Sequence, residues 1–295
     1  MFVQYFGNYL VENNIISHPQ YELIVKQQKD SRVKLGFIAV AEKLLTKNQA
    51  DEINELQKIK DLRFGDIAIE KGYLLEEEVN YLLNMQKNPY MNMIQVLTEK
   101  NIMTMDEIEE TLESFREANG FSTSELDALL SNDIDKIIPV FVDVDLPIQG
   151  ECVSLFIRSI IRFIDNNIIL KKAYTTKEYS FGNLAHQQVV GDYNIFLGIA
   201  SLGDELLTIA NPFAKENFTE MHEDAFDSVC EFINCINGLF ASKLSLEEVH
   251  VDMTPPLFHK NQKISSPGGI YVVPIIINNK QSDLLFVLDD TTDIN

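Results

Sequence analysis

Cysteine is scarce in this chain of 295 residues, which has three, at positions 152, 230 and 235. That is too few for a disulfide framework, and the spacing is not that of metal ligands, so no metal site is expected. Cys230 and Cys235 fall on different sides of one predicted helix, and all three read as small buried hydrophobes. Basic residues are also few, 24 Lys and Arg against 45 Asp and Glu, for a formal charge of −21. A phosphate surface repels such a chain, which disfavours unspecific attraction to nucleic acid or anionic lipid. Its partners should be neutral, basic or recognised by shape. No apolar run approaches the roughly 20 residues that cross a bilayer, and the opening MFVQYFGNYLVENN lacks the basic-then-apolar order of a secretory signal. The expectation is a cytoplasmic protein without membrane insertion. His18, His186, His222, His250 and His259 form no His-x-x-x-His or Ser/His/Asp arrangement and read as structural.

What the chain does have is 45% hydrophobic residues, enough for a substantial core in two domains. Over residues 1–115, four segments superpose without a gap: 5–28, 34–57, 63–86 and 92–115. Gly7, Gly36 and Gly65 share one place in the 29-residue unit, and Gln28, Gln57 and Gln86 share another. Ser17-x-x-Gln20, Thr46-x-x-Gln49 and Thr104-x-x-Glu107 are capping boxes in one register, with Leu75 at that place in the third unit. Each unit is then a short helix, a tight turn and a longer amphipathic helix that must stack on its neighbours to hide its apolar stripe. The pattern Arg63-Phe64-Gly65, Gly72 and Gln86 resembles the N-terminal module of the GspE/MshE secretion and pilus ATPases. That resemblance implies either cyclic di-GMP binding, with Arg63 and Gly65 as candidate contacts, or a scaffold in which the glycines are packing positions.

Residues 116–136 are polar and read as a linker. Within it, Ser122 and Glu125 form a capping box, and Leu126, Leu129 and Leu130 share one face of a two-turn helix. So short a helix is marginal alone and suited to fold on a partner's groove. The stretch Phe121 to Leu130 resembles the CheY-binding peptide of the flagellar switch proteins FliM and FliY. The resemblance implies partner contacts at Phe121, Glu125, Leu126, Asp127, Leu129 and Leu130.

From 137 to 295 the order is an extended apolar stretch (IIPVFVDVDL), a helix near 150–165, and two strand-like runs over 174–201. Helices near 203–214 and 220–242 follow, then strands near 247–253, 269–277 and 283–288. The last two form a hairpin around Asn278-Asn279, and Pro274 suggests an edge or a bulge. This is an α+β layered domain. Its most specific feature is Asp227-x-x-x-Glu231-x-x-Asn234, with Gly238 one turn on and Pro256 beyond. At 100° per residue, 227, 231, 234, 238 and 242 fall within about 80°, while Phe226, Val229, Phe232, Ile233, Ile236, Leu239 and Phe240 lie mostly opposite.

That helix resembles the active helix of the CheC/CheX/FliY phosphatases of bacterial chemotaxis, so the fold expected is an all-α N-terminal repeat domain followed by a CheX-like α+β domain. The resemblance implies hydrolysis of the aspartyl phosphate on a CheY-like receiver. In that reading Asn234 fixes the attacking water, Glu231 pairs with a lysine of the receiver, Asp227 supports, and Gly238 gives clearance. It also implies magnesium on the receiver, no cofactor of the chain's own, and a possible homodimer. Two alternatives remain: a non-catalytic adaptor that joins a receiver to another assembly, and a cyclic di-GMP-responsive regulator.

Overall fold

The computed structural model describes residues 1–27, 32–144 and 146–295, in two compact units, one of Phe2–Asp133 and one of Ile134–Asn295 with Met1. Gln28 lies outside the described residues. No helix among those described is long and apolar enough to cross a membrane.

The N-terminal unit is built from helix pairs: α1 (Phe2–Glu12) with α2 (His18–Gln27), α3 (Leu35–Ala41) with α4 (Lys47–Ile59), α5 (Phe64–Glu70) with α6 (Glu76–Met85), and α7 (Pro89–Glu99) with α8 (Met105–Ala118). The first helix of each pair ends in the same way. Asn14, Lys43, Gly72 and Asn101, each 29 residues after the last, take φ of 57°, 58°, 69° and 52°. The two residues after each return their N–H groups to one carbonyl, at Leu10, Ala39, Ala68 and Leu97 respectively. One left-handed residue thus reverses the chain and satisfies the helix end, which is why Asn or Gly holds three of the four places. A cap then starts the second helix. Thr46 with Gln49 and Thr104 with Glu107 close full boxes, whereas Leu75 contributes only its backbone N–H, 2.7 Å from Glu78 Oε2.

The repeat glycines are packing positions. A Cβ on Gly7 would lie 2.1 Å from Tyr21, on Gly36 2.9 Å from Phe64, and on Gly65 2.6 Å from Val79. Each lets a neighbouring side chain sit against helix backbone. Arg63, by contrast, is exposed at the start of α5.

The expected linker over 116–136 is instead structured. α8 runs to Ala118, α9 spans Thr123–Leu130, and α10 spans Ile134–Phe141 in the other unit. Phe121, Leu126 and Leu129, which belong to the N-terminal unit, are buried. Phe121 meets Tyr5 edge-on and Phe115 at a tilt, and Asn88 Nδ2 donates to the Leu130 carbonyl at 2.8 Å. Leu130 and Glu125 are half-buried, Glu125 closing the Ser122 capping box, and Asp127 is exposed. The apolar stripe expected to meet a partner is therefore already covered within the chain, apart from the half-buried Leu130. Its burial outweighs anything the polar sequence around it suggests.

The C-terminal unit opens with α10, where an extended stretch was expected, and α11 (Pro147–Phe163). It continues through β1 (Ile168–Leu170), β2 (Tyr174–Gly191), β3 (Ile195–Ser201), a 3-10 turn at Asp204–Leu206, α12 (Leu207–Ala214) and α13 (Glu223–Leu246). Strands β4 (Val251–Met253), β5 (Leu257–Ile277), β6 (Lys280–Leu288) and β7 (Asp293–Ile294) complete it. The sheet order is β1-β5-β6-β3-β2-β4, with β2 also paired to β5 and β7 to β5. Strands β5, β6, β3 and β2 therefore close a ring. Phe181, Leu184, Phe196, Ala200, Ile264, Ile270, Val272, Leu285 and Val287, drawn from all four, form its apolar cluster.

The β5–β6 hairpin turns on Asn278 and Asn279, both with positive φ. Pro274 lies at neither an edge nor a bulge: it pairs with Asp283 on one side, and on the other its carbonyl accepts from Lys171 N at 3.0 Å. Having no N–H to return, Pro274 stops the ladder, and β1 ends at Leu170.

His186 faces the apolar side of β2, stacked on Phe196 at 4.7 Å and on His259 at 5.2 Å. Burial, and secondarily the neighbouring His259, pushes its imidazole down to about 4 from 6.5. Between those values the unfolded chain binds a proton that the native chain refuses, so stability is complete above pH 6.5 and falls as the pH drops toward 4. The expected loss is about 3 kcal/mol. Urea unfolding at pH 7.0 and 4.5 checks this, with His186→Leu expected to flatten the difference.

Candidate active site

Helix α13 is held by its apolar face. Phe232 meets Phe156 of α11 at 5.7 Å and Phe213 of α12 at 5.3 Å, and Phe226 stacks on Phe258 of β5 at 4.4 Å. Lys243 pairs with Glu151 of α11 at 2.7 Å. The opposite face is open. Asp227 and Glu231 are exposed, and Asn234 and Gly238 half-buried. Neither carboxylate makes an ion pair among the described residues. Asp227, Glu231 and Pro256 line one recess, together with Cys230, Leu257 and Phe258, so the distant proline and the helix acids do meet. Leu257 and Phe258 are partly exposed beside the acids, which gives the recess an apolar wall and an acidic one. The acids act on their surroundings: burial first, then Asp227 and Glu231, push the Cys230 thiol up to about 11.

Two helix assignments need correction. Leu239, expected on the packed side, is 52% exposed, and Cys235, expected to be buried, is exposed too. Both lie on the flank between the stripes, where helical periodicity alone leaves a residue's neighbour undecided. They line an apolar groove with Phe163, Phe213 and Ile236.

Sequence reasoning missed two residues beneath the polar stripe, Gln187 on β2 and Asn237 on α13, which are 1% and 0% exposed. Gln187 Nε2 donates to Asn234 Oδ1 and to the Thr254 carbonyl, both at 2.8 Å. Asn237 Nδ2 donates to Gln187 Oε1 at 2.9 Å. Asn234 is thus anchored by its oxygen, and its Nδ2 has no hydrogen-bond partner among the described residues. A polar residue at an inward place in a strand was the available signal, since buried amides are found where they are bonded.

Gly238 has room. A Cβ there would sit 3.9 Å from Met253 Cε, an ordinary contact, and nothing closer. Gly238→Ala is therefore expected to stabilise the fold by up to about 1 kcal/mol through helix propensity. Thermal melting checks it, and a clear destabilisation would contradict the open space seen there.

No group of His, Cys, Asp and Glu among the described residues could hold a metal ion. What the arrangement offers is an exposed carboxylate pair, an oriented amide and a glycine on one rigid helix. It defines an α+β domain with one helix face left open. Residues 184–277, which include Gln187, α13 and Pro256, match the family described as chemotaxis phosphatase CheX, and the C-terminal unit is a CheX-like domain. No curated protein matches the chain. Similar solved structures include a chemotaxis protein CheX from Desulfovibrio desulfuricans, at 16% identity and a TM-score of 0.42 over 49% of this chain and all of that one. A CheC-like superfamily protein from Shewanella sp. PV-4 has 18% identity and a TM-score of 0.44 over 50% of this chain and 99% of that one. The CheX-CheY-BeF3-Mg complex from Borrelia burgdorferi has 17% identity and a TM-score of 0.36 over 46% and 94%.

Proposed function

We propose that the C-terminal unit hydrolyses the aspartyl phosphate of a CheY-like receiver domain. The observation that carries this reading is the Asn234 amide, held by its oxygen with its Nδ2 unpaired, one helical turn from the exposed Glu231 in a CheX-like domain. An acyl phosphate has a good leaving group, so positioning and charge balance are what a catalyst must add. Asn234 Nδ2 donates to the oxygen of a water held in line with phosphorus. Water forms the new P–O bond, the aspartyl carboxylate leaves with the electron pair of the old one, and the water's proton passes to phosphate or solvent.

Glu231 pairs with a lysine of the receiver and sets the register between the two proteins. Asp227 adds negative charge to the same recess, and Gly238 lets the helix approach. Magnesium belongs to the receiver and offsets the phosphoryl charge. The partly exposed Leu257 and Phe258 supply the apolar contact beside the acids.

The test follows the decay of a CheY-type receiver phosphorylated with acetyl phosphate, with and without this protein. Acceleration that depends on protein concentration supports the reading. Binding with an unchanged phosphoryl lifetime would leave the adaptor in its place. Gly238→Ala serves as a second arm: the variant is expected to fold at least as well as wild type yet to turn over more slowly, because its methyl group occupies the approach path.

A further inference from the structure

The geometry points to Gln187 as the positioning residue that decides which end of the Asn234 amide faces the reacting group, an inference that rests on the phosphatase reading. An asparagine side chain on an open helix face has two orientations of similar shape and opposite polarity. One offers N–H to an incoming group and the other offers a carbonyl. Helix α13 alone does not choose between them.

The choice is made from a backbone carbonyl. Thr254 is fixed to β2 by two bonds to Gln188, its N–H donating to Gln188 O at 2.9 Å and its Oγ1 accepting from Gln188 N at 3.3 Å. Pro255 and Pro256 stiffen the chain that follows. The Thr254 carbonyl can only accept, so the Gln187 amide must turn its Nε2 toward it, at 2.8 Å. The second hydrogen on that nitrogen then points at Asn234, which must answer with Oδ1, also at 2.8 Å. Nδ2 is left for the partner. On the other side, Gln187 Oε1 takes the Asn237 Nδ2 hydrogen at 2.9 Å, which leaves Asn237 Oδ1 buried with no partner among the described residues. Turning Asn237 over to relieve that oxygen would set it against Gln187 Oε1. The network accepts an orphaned carbonyl and keeps one polarity from Thr254 through Gln187 to Asn234.

Two variants separate orientation from mere support. Gln187→Met keeps the length and removes every hydrogen bond. Gln187→Glu keeps an acceptor for Asn237 and Asn234, but as a carboxylate it cannot donate, so Asn234 must turn its Nδ2 inward. A supporting role alone predicts that Glu is the milder change. The orientation role predicts that both variants lose at least about tenfold in kcat, with KM for the phosphorylated receiver within about twofold. The Asn234 side-chain amide resonances, followed by 15N-labelled NMR, are expected to shift in both. Unchanged resonances in Gln187→Met, or a kcat within about twofold of wild type in both variants while Asn234→Ala is inactive, would overturn the inference. Should Gln187→Glu not fold, the methionine variant and its spectrum decide alone. If wild type itself fails to accelerate dephosphorylation, the phosphatase reading falls, and the spectra still report whether Gln187 holds the Asn234 amide.

Discussion

Asn234→Ala is expected to slow dephosphorylation of a CheY-type receiver by about 100-fold or more, the range seen when one preorganised donor is removed from a reacting centre. The loss belongs in kcat. The Asn234 amide is half-buried and bonded by its oxygen, so in the proposed mechanism it adds little to docking and much to the placement of water. The fold should bear the change: Gln187 keeps the Thr254 carbonyl and Asn237, and the one lost hydrogen bond costs about 1 kcal/mol. Glu231→Ala should behave differently. Glu231 is exposed and makes no ion pair within the described residues, so its removal leaves the unit's stability unchanged and raises KM by about tenfold, the worth of a charge-assisted bond to the receiver. Single-turnover decay of the phosphorylated receiver at several protein concentrations separates the two effects. Equal losses in kcat from both variants would contradict the division of roles, and full activity in Asn234→Ala would remove the proposed mechanism.

The second large effect concerns the N-terminal unit. Phe115 is completely buried, with Phe2, Tyr5, Phe6 and Tyr9 of α1 at 5.8, 5.3, 5.4 and 5.3 Å and Phe121 at 6.0 Å. It ties the first helix of the chain to the last pair of the repeat array. Phe115→Ala removes a ring from a site where five other rings cannot all collapse inward, so the expected loss is about 3–5 kcal/mol. Phe121→Ala should give a smaller loss of the same kind, because that ring joins the edge of the cluster. Urea unfolding of the full chain, followed by tyrosine fluorescence, measures both. A loss under about 1 kcal/mol for Phe115→Ala would mean that the cluster does not hold the array together. An effect of Phe121→Ala on this transition also bears on the segment 121–130. A helix whose apolar stripe is already covered cannot offer that stripe to a partner at the same time.

Much of the local structure was legible in the residues. Capping boxes at Thr46, Thr104 and Ser122 start helices at those places because their hydroxyls satisfy N–H groups that no helix can satisfy internally. Asn278-Asn279 turns a hairpin because both residues tolerate positive φ. Other elements were not legible for identifiable reasons. The first half of β5, LFHKNQKISS, reads as polar because only Ile264 and Ser266 are buried there; the strand exists because β2 is opposite it. Ile134–Phe141 looks extended because its apolar run with Pro139 suits a strand as well as a helix of two turns.

The same division runs through the site. The amino-acid order by itself determined that Asp227, Glu231, Asn234 and Gly238 share one face of a helix, since 3.6 residues per turn leaves no other arrangement. Only the tertiary structure decided which way the Asn234 amide points, because that depends on Gln187, 47 residues earlier in the chain, and on the Thr254 carbonyl, 67 residues from Gln187. Local periodicity acts over a few residues and carries no information on which distant group will lie beneath a helix. It likewise could not tell that Phe121, Leu126 and Leu129 would be buried within the chain, for an amphipathic stripe states that something must cover it and leaves the covering surface to the fold.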